Sequence, residues 1–266
     1  MKLKLLFILI FFSFRISAQG TIKEKFDYEV IYKLSFKLDS TLVNPESEYM
    51  MLYMGKDYSY YISRAQNFED EIKVKGNSGS TPQNALTNFH YQILKEIKSD
   101  RLFYVHQIAS DRFYFGQDKN IFNWQIETET KEIKGYKVQK AITNFAGRDY
   151  VAWFTPDVPI SDGPYKFNGL PGLILEIKDS QGYWEFEFVG LEKLSPKINY
   201  LVDLKQYAKT TRKDMEKLWF RYRSDPMGYA NNPNVKSDPE VDKKYRDLFA
   251  EMLRKENNPL ELKAFE

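Results

Sequence analysis

The chain has no cysteine and only two histidines, His90 and His106, among its 266 residues. The first absence excludes disulfides, thiol catalysis and the lipid-modified cysteine of a bacterial lipoprotein. The second leaves few partners for a serine nucleophile, and neither histidine has a metal-ligand neighbour at helical spacing. No Gly-x-Ser-x-Gly elbow occurs. The apolar run over residues 5–14 is too short to span a bilayer. Internal repeats and linker-like stretches are also lacking, so a single domain is expected.

What opens the chain is the three-part layout of an export signal: Lys2 and Lys4, the apolar run, then Ser17-Ala18 before Gln19. Cleavage is expected between Ala18 and Gln19. Removing 18 of 266 residues leaves 248, and because Lys2, Lys4 and Arg15 leave with no acid, the formal charge passes from +2 to −1. No basic excess then remains to neutralise a phosphate backbone, so nucleic acid is not an expected partner. No transmembrane segment is expected after cleavage, and the mature chain should be periplasmic or secreted. Its 20 Phe, 19 Tyr and 4 Trp supply a core without cross-links.

Alternation with a period of two begins at Phe26, Tyr28, Val30 and Tyr32. It recurs over 49–54, 58–62, 91–97, 102–108, 112–115, 121–133, 136–145, 150–155, 173–178 and 183–189. Short strands with short connections predict an antiparallel meander. Residues 64–88 interrupt it with a polar stretch rich in turn formers, read as a long surface loop. The strand over 150–155 is apolar on both faces, as expected of one covered on both sides or facing a cavity.

The period then changes. Thr211 with Asp214 resembles a capping box, followed by Met215, Leu218, Trp219 and Tyr222 at helical spacing. Ser237-Asp238-Pro239 opens a second helix with the stripe Val241, Tyr245, Leu248 and Met252. The fold class is thus α+β: a predominantly antiparallel β-sheet meander, as a curved sheet or half-barrel, with two C-terminal amphipathic helices near 211–224 and 239–256.

The most distinctive stretch is Tyr165-Lys166-Phe167-Asn168-Gly169-Leu170-Pro171-Gly172-Leu173-Ile174-Leu175-Glu176-Ile177. Pro171-Gly172 suits the centre of a type II turn that feeds residues 173–177 into a sheet. This stretch resembles the signature of the GLPGLI family, secreted proteins typical of Bacteroidetes with no defined biochemical role. The resemblance is strong over about 121–190, through Gly135-Tyr136-Lys137-Val138, Gly147-Arg148-Asp149-Tyr150-Val151-Ala152-Trp153 and Gly163-Pro164-Tyr165-Lys166. It extends to the ending Asn258-Pro259-Leu260-Glu261-Leu262. Some relatives carry cysteine where Val138 stands, so no thiol role transfers. The resemblance implies an envelope protein near TonB-dependent receptors.

Candidate ligand or motif residues are Asn168, Gly169, Leu170, Pro171, Gly172, Arg148 and Trp153. The Gly-x-x-Gly spacing suggests a phosphate cradle, but such loops open a helix and this one opens a strand, so a structural turn is preferred. Arg148 is read as a brace for its hairpin, with an anion-binding arginine as the alternative. Glu185 with Glu187, and Glu127 with Glu129, share strand faces as a carboxylate pair would, but read more simply as wet faces. No catalytic residue, metal or cofactor is expected. The expected function is non-enzymatic binding of an apolar or extended ligand, in a pocket bordered by Trp153, Phe154 and Trp184. The alternatives are an interaction module serving an outer-membrane receptor, and a hydrolase.

Overall fold

The computed structural model describes residues 21–66, 87–229 and 238–263. The expected cleavage site at Ala18 and Gln19, and most of the expected surface loop, lie outside these residues. Within them one sheet holds twelve strands: β1 (Thr21–Phe36), β2 (Glu46–Met54), β3 (Tyr58–Ser63), β4 (Tyr91–Glu96), β5 (Arg101–Ile108) and β6 (Asp111–Asp118) in the first half. The second half adds β7 (Gln125–Ile133), β8 (Tyr136–Phe145), β9 (Arg148–Thr155), β10 (Leu173–Asp179), β11 (Trp184–Asp203) and β12 (Ala208–Lys209). Helices α1 (Arg212–Ser224), α2 (Pro226–Tyr229) and α3 (Pro239–Lys255) follow.

The spatial order is β12-β6-β5-β4-β3-β2-β1-β11-β10-β9-β8-β7, antiparallel except for the β12–β6 pair. This is a wide open sheet, larger than a simple meander. Two meanders, β1 to β6 and β7 to β11, are joined by the long ladder between β1 and β11. That ladder also corrects two boundaries. The expected strand over 183–189 continues to Asp203, and β1 begins at Thr21, because Thr21–Phe26 has a partner in Ile198–Asp203. Conversely, the expected strand over 121–133 begins only at Gln125. The preceding Phe122 packs against Phe145 and Phe167, while Trp124 Nε1 donates to the Asn168 carbonyl at 2.8 Å.

Alternation sorts the core into two layers. Val30, Tyr32, Leu34, Met50, Leu52, Tyr61, Ile93 and Leu102 join Ala152, Phe154, Leu173, Leu175, Phe186 and Phe188 in one layer. Met51, Tyr53, Tyr60, Ile62, Leu94, Phe103 and Val105 occupy the opposite face of β2 to β5. There they meet Ile22 and Phe26 from the start of β1 and Val202 from the end of β11.

Residues 156–172 cross the first layer as a strap. Tyr165, Phe167 and Leu170 are buried there, and Lys95 reaches from β4 to pair with Asp162 and to donate to the Gly163 carbonyl at 2.7 Å. The expected type II turn at Pro171-Gly172 is not formed. Instead Gly172 N–H donates to the Leu170 carbonyl at 2.8 Å, a tighter three-residue turn. Glycine is required at 172 because a Cβ would lie 2.1 Å from the Thr155 carbonyl oxygen.

Both C-terminal helices start at caps visible in the sequence. The Thr211 hydroxyl accepts from Asp214 N–H at 3.1 Å, and Asp238 accepts from Glu240 N–H at 2.9 Å. Helix α1 buries only Met215 completely and α3 buries no residue completely. Helix α1 packs on β5 and β6 and α3 packs on α1 and α2, so together they form a loose cover. No helix among the described residues is long and apolar enough to cross a membrane.

Candidate functional site

A cleft lies between the sheet and these helices. Its inner part is a cavity of about 390 Å³. The floor comes from one sheet face, where alternation brings Tyr91 of β4, Tyr104 and His106 of β5, and Phe115 of β6 to the same side. The wall opposite is Met215 and Trp219 of α1 with Leu253 of α3, and Trp184 and Leu260 close one end. The His106 ring meets Trp219 edge-on with centroids 4.8 Å apart, and Tyr104 stacks between Tyr91 and Phe115 at 5.4 and 5.2 Å. An outer groove of about 920 Å³ continues past Glu46, Glu48, His90, Tyr222, Phe249 and Met252. Both volumes are within the range of small-molecule sites.

At the base of the cavity sits a buried ionic cluster. Glu261 accepts from Lys166 Nζ, Tyr165 Oη and Arg212 Nη2, each at 2.7 Å. Arg212 also bonds Glu216 at 3.1 Å. Burial alone would raise the Glu261 carboxyl, but Lys166, Arg212 and the Tyr165 hydroxyl hold it below the usual carboxylate value. Burial likewise pushes the Tyr104 phenol well above its ordinary value, so it stays a neutral hydroxyl. Charge here is internally balanced, and the surrounding surface is aromatic.

His90, just before β4, and His106 of the paired strand β5 both line the inner cavity and the outer groove. Burial, with His90 adding in the same sense, lowers His106 to about 3, so its imidazole is neutral at physiological pH. Among the described residues no group of three or more His, Asp or Glu could hold a metal ion.

The sequence-derived candidates lie elsewhere. Asn168 is buried in the strap, with Nδ2 donating to the Lys119 and Lys166 carbonyls at 3.1 and 2.8 Å. Gly169 donates to Ser161 Oγ at 3.2 Å, Leu170 is buried, Pro171 is exposed, and Gly172 lies against Thr155. None of the five lines either cavity. Arg148 is buried. Its guanidinium bonds Asp179 at 3.0 Å, the Asn258 side chain, the Pro259 carbonyl at 2.6 Å and the Leu260 carbonyl at 3.2 Å. These bonds fasten the start of β9 to the end of β10 and to the C-terminal segment, and none of them reaches β8 across the turn of its own hairpin.

Trp153 lies on the other face of β9 beneath Lys131, whose Nζ is 4.3 Å from the ring centre. Of the expected pocket border, only Trp184 lines a cavity; Phe154 is in the core. Glu185 lies 3.9 Å from Lys178 and Glu187 3.9 Å from Lys33, while Lys140 bridges Glu127 and Glu129 at 3.0 and 2.9 Å. Residue patterns alone did not single out Tyr91, Tyr104, Lys166, Arg212 and Glu261 as a group. The one available signal was Trp219 on the inner stripe of a helix.

A family described as a protein of unknown function (Porph_ging) matches residues 146–176, which hold the turn before β9, β9 itself, the strap and the start of β10. No curated protein matches the chain. Two crystal structures of PNGF-II, in space groups C2 and P21, superpose with TM-scores of 0.54 at 16% and 17% identity. They cover 75% and 77% of this chain and 33% and 34% of their own. The chain thus spans about a third of those chains, and the likeness concerns the fold alone.

Proposed function

We propose that this chain is an exported envelope protein of the GLPGLI type, periplasmic or secreted, that holds an apolar or extended ligand in the cleft under α1 and α3. It acts as a binder and not as an enzyme. One observation carries the reading: a cavity of about 390 Å³ with a largely aromatic lining and a base whose charges are already paired among themselves. Paired charges demand no counter-ion, so the contact area left to a ligand is chiefly ring and methyl surface. Native mass spectrometry of the mature chain isolated from its own envelope tests this. The expected spectrum carries a non-covalent adduct that organic extraction removes; a clean apo mass before extraction contradicts the reading.

A second reading, an interaction module for an outer-membrane receptor, has its own support in α3. Val241, Tyr245, Leu248 and Met252 form a helical stripe that is 41–50% exposed. Under this reading Tyr245→Glu with Leu248→Glu abolishes co-purification of an outer-membrane partner and leaves the adduct mass intact. Undiminished co-purification contradicts it.

A further inference from the structure

The outer groove differs in kind from the inner cavity. Its lining has three carboxylates, Glu46, Glu48 and Glu256, and two cations, Arg112 and Arg223. Each cation already faces a partner within that lining. Arg223 pairs with Glu256 and lies 5.3 Å from the Trp219 ring centre, and Arg112 lies 5.8 Å from that of Tyr207. Glu48 continues the inward row of β2 beyond Met50, and among the described residues its bonds are to neutral donors. It accepts from the Ser63 hydroxyl, from Thr87 Oγ1 at 2.6 Å and from Asn88 N–H at 3.3 Å. Among the described residues Glu46 accepts only from Asn88 Nδ2, at 3.5 Å.

Two further groups face the same groove. His106 is only 8% exposed and its Nδ1 has no hydrogen-bond partner; Gln66 Oε1 is likewise buried and unpartnered. Buried polar atoms without partners are uncommon and call for an explanation. Gln66 Oε1 is an acceptor by chemistry, and the neutral imidazole presents an acceptor at one ring nitrogen. Glu46 and Glu48, which have no cation partner among the described residues, with unused acceptors beside them, fit a group that carries several N–H donors and positive charge. Tyr222 and Phe249 add ring faces that attract a cation.

We infer that the outer groove receives a primary ammonium or guanidinium group of the ligand, at the end formed by Glu46, Glu48 and His106. This rests on the reading of the cleft as a ligand site and names the chemistry at its outer end. The ligand is then amphipathic: its apolar part lies on Tyr104, Phe115 and Trp219, and its cationic end reaches Glu48.

Calorimetric titration of the mature chain with octylammonium, octanol and octanoate at neutral pH is the test. Octylammonium should bind about tenfold more tightly than octanol, and octanoate most weakly. Glu48→Gln keeps the acceptor for Ser63 and Thr87 but removes the charge, and should bring octylammonium to the affinity of octanol without altering octanol binding. Should that variant fail to fold, Glu46→Gln, on an exposed side chain, should lower octylammonium affinity alone. Equal binding of octylammonium and octanol by the unaltered chain overturns the cationic assignment and leaves the cleft reading standing. Binding of none of the three overturns both.

Discussion

Single residues carry much of the architecture through contacts that no local pattern announces. At Gly172 the neighbouring atom is a backbone carbonyl, 2.1 Å from where a Cβ would be, and it has nowhere to move. Gly172→Ala should cost about 3 kcal/mol in urea unfolding. Gly182, at φ +68° with nothing near its Cβ position, should lose only about 1 kcal/mol as Ala. Similar losses at both positions would contradict the contact argument.

Arg148 and Asp179 are 3% and 1% exposed, so Arg148→Met leaves a buried carboxylate without its cation. A loss of about 3–5 kcal/mol is expected, with partial recovery in the double variant Arg148→Met, Asp179→Leu. A double variant no more stable than Arg148→Met alone would exclude the stranded charge as the cause.

His106 sets a pH window. With its folded value lowered to about 3 against 6.5 when free, the folded chain binds fewer protons than the unfolded one between those values. Its contribution is therefore complete above pH 6.5 and declines as pH falls towards 3, by up to about 1.4 kcal/mol per pH unit. Between pH 6.5 and 5 that slope should be present in the unaltered chain and absent in His106→Phe. Equal slopes would mean the histidine is not desolvated.

Elements differ in how far the sequence discloses them. Helix α1 was legible because its cap is local: Thr211 and Asp214 are three residues apart and bond each other directly. The hairpin of β10 and β11 was legible because its turn and both alternating faces are contiguous. The extension of β11 to Asp203 was not, since it depends on a partner strand about 180 residues earlier in the chain. The segment 257–263 shows the same limit. It has no regular structure, yet the Asn258 side chain donates to the Lys37 carbonyl, the Leu260 carbonyl accepts from Tyr150 Oη at 3.1 Å, and Glu261 closes the ionic cluster.

The segment Asn258-Pro259-Leu260-Glu261 thus has a structural role: it ties the end of β1, β9 and the strap together. A chain ending at Asn257 strands the Lys166 cation in a buried position and removes the Asn258, Pro259 and Leu260 acceptors of Arg148. It should fail to fold or lose more than about 5 kcal/mol. A truncated chain with an unchanged denaturant midpoint would contradict this role.

At the scale of the molecule, the two halves of the sheet divide the work. Strands β7 to β11 and the strap, which hold the family match, are packed and braced. Strands β4 to β6 support the cleft, under helices that bury little of themselves. The site was illegible in the sequence for that reason: the distinctive motif serves the backbone, while the cleft is assembled from ordinary tyrosines, a helix stripe and the chain's end.

The account's central claim is that this cleft holds a ligand. Leu253 is on the α3 wall of the inner cavity and partly exposed, so Leu253→Trp should narrow the space without stranding a polar group. The decisive measurement is a fluorescence titration with the neutral apolar dye Nile red, on the mature chain and on Leu253→Trp. Saturable binding by the first, weakened about tenfold in the second with a melting temperature within about 2 °C, is the predicted result. Equal binding by both, or none by either, would contradict the claim.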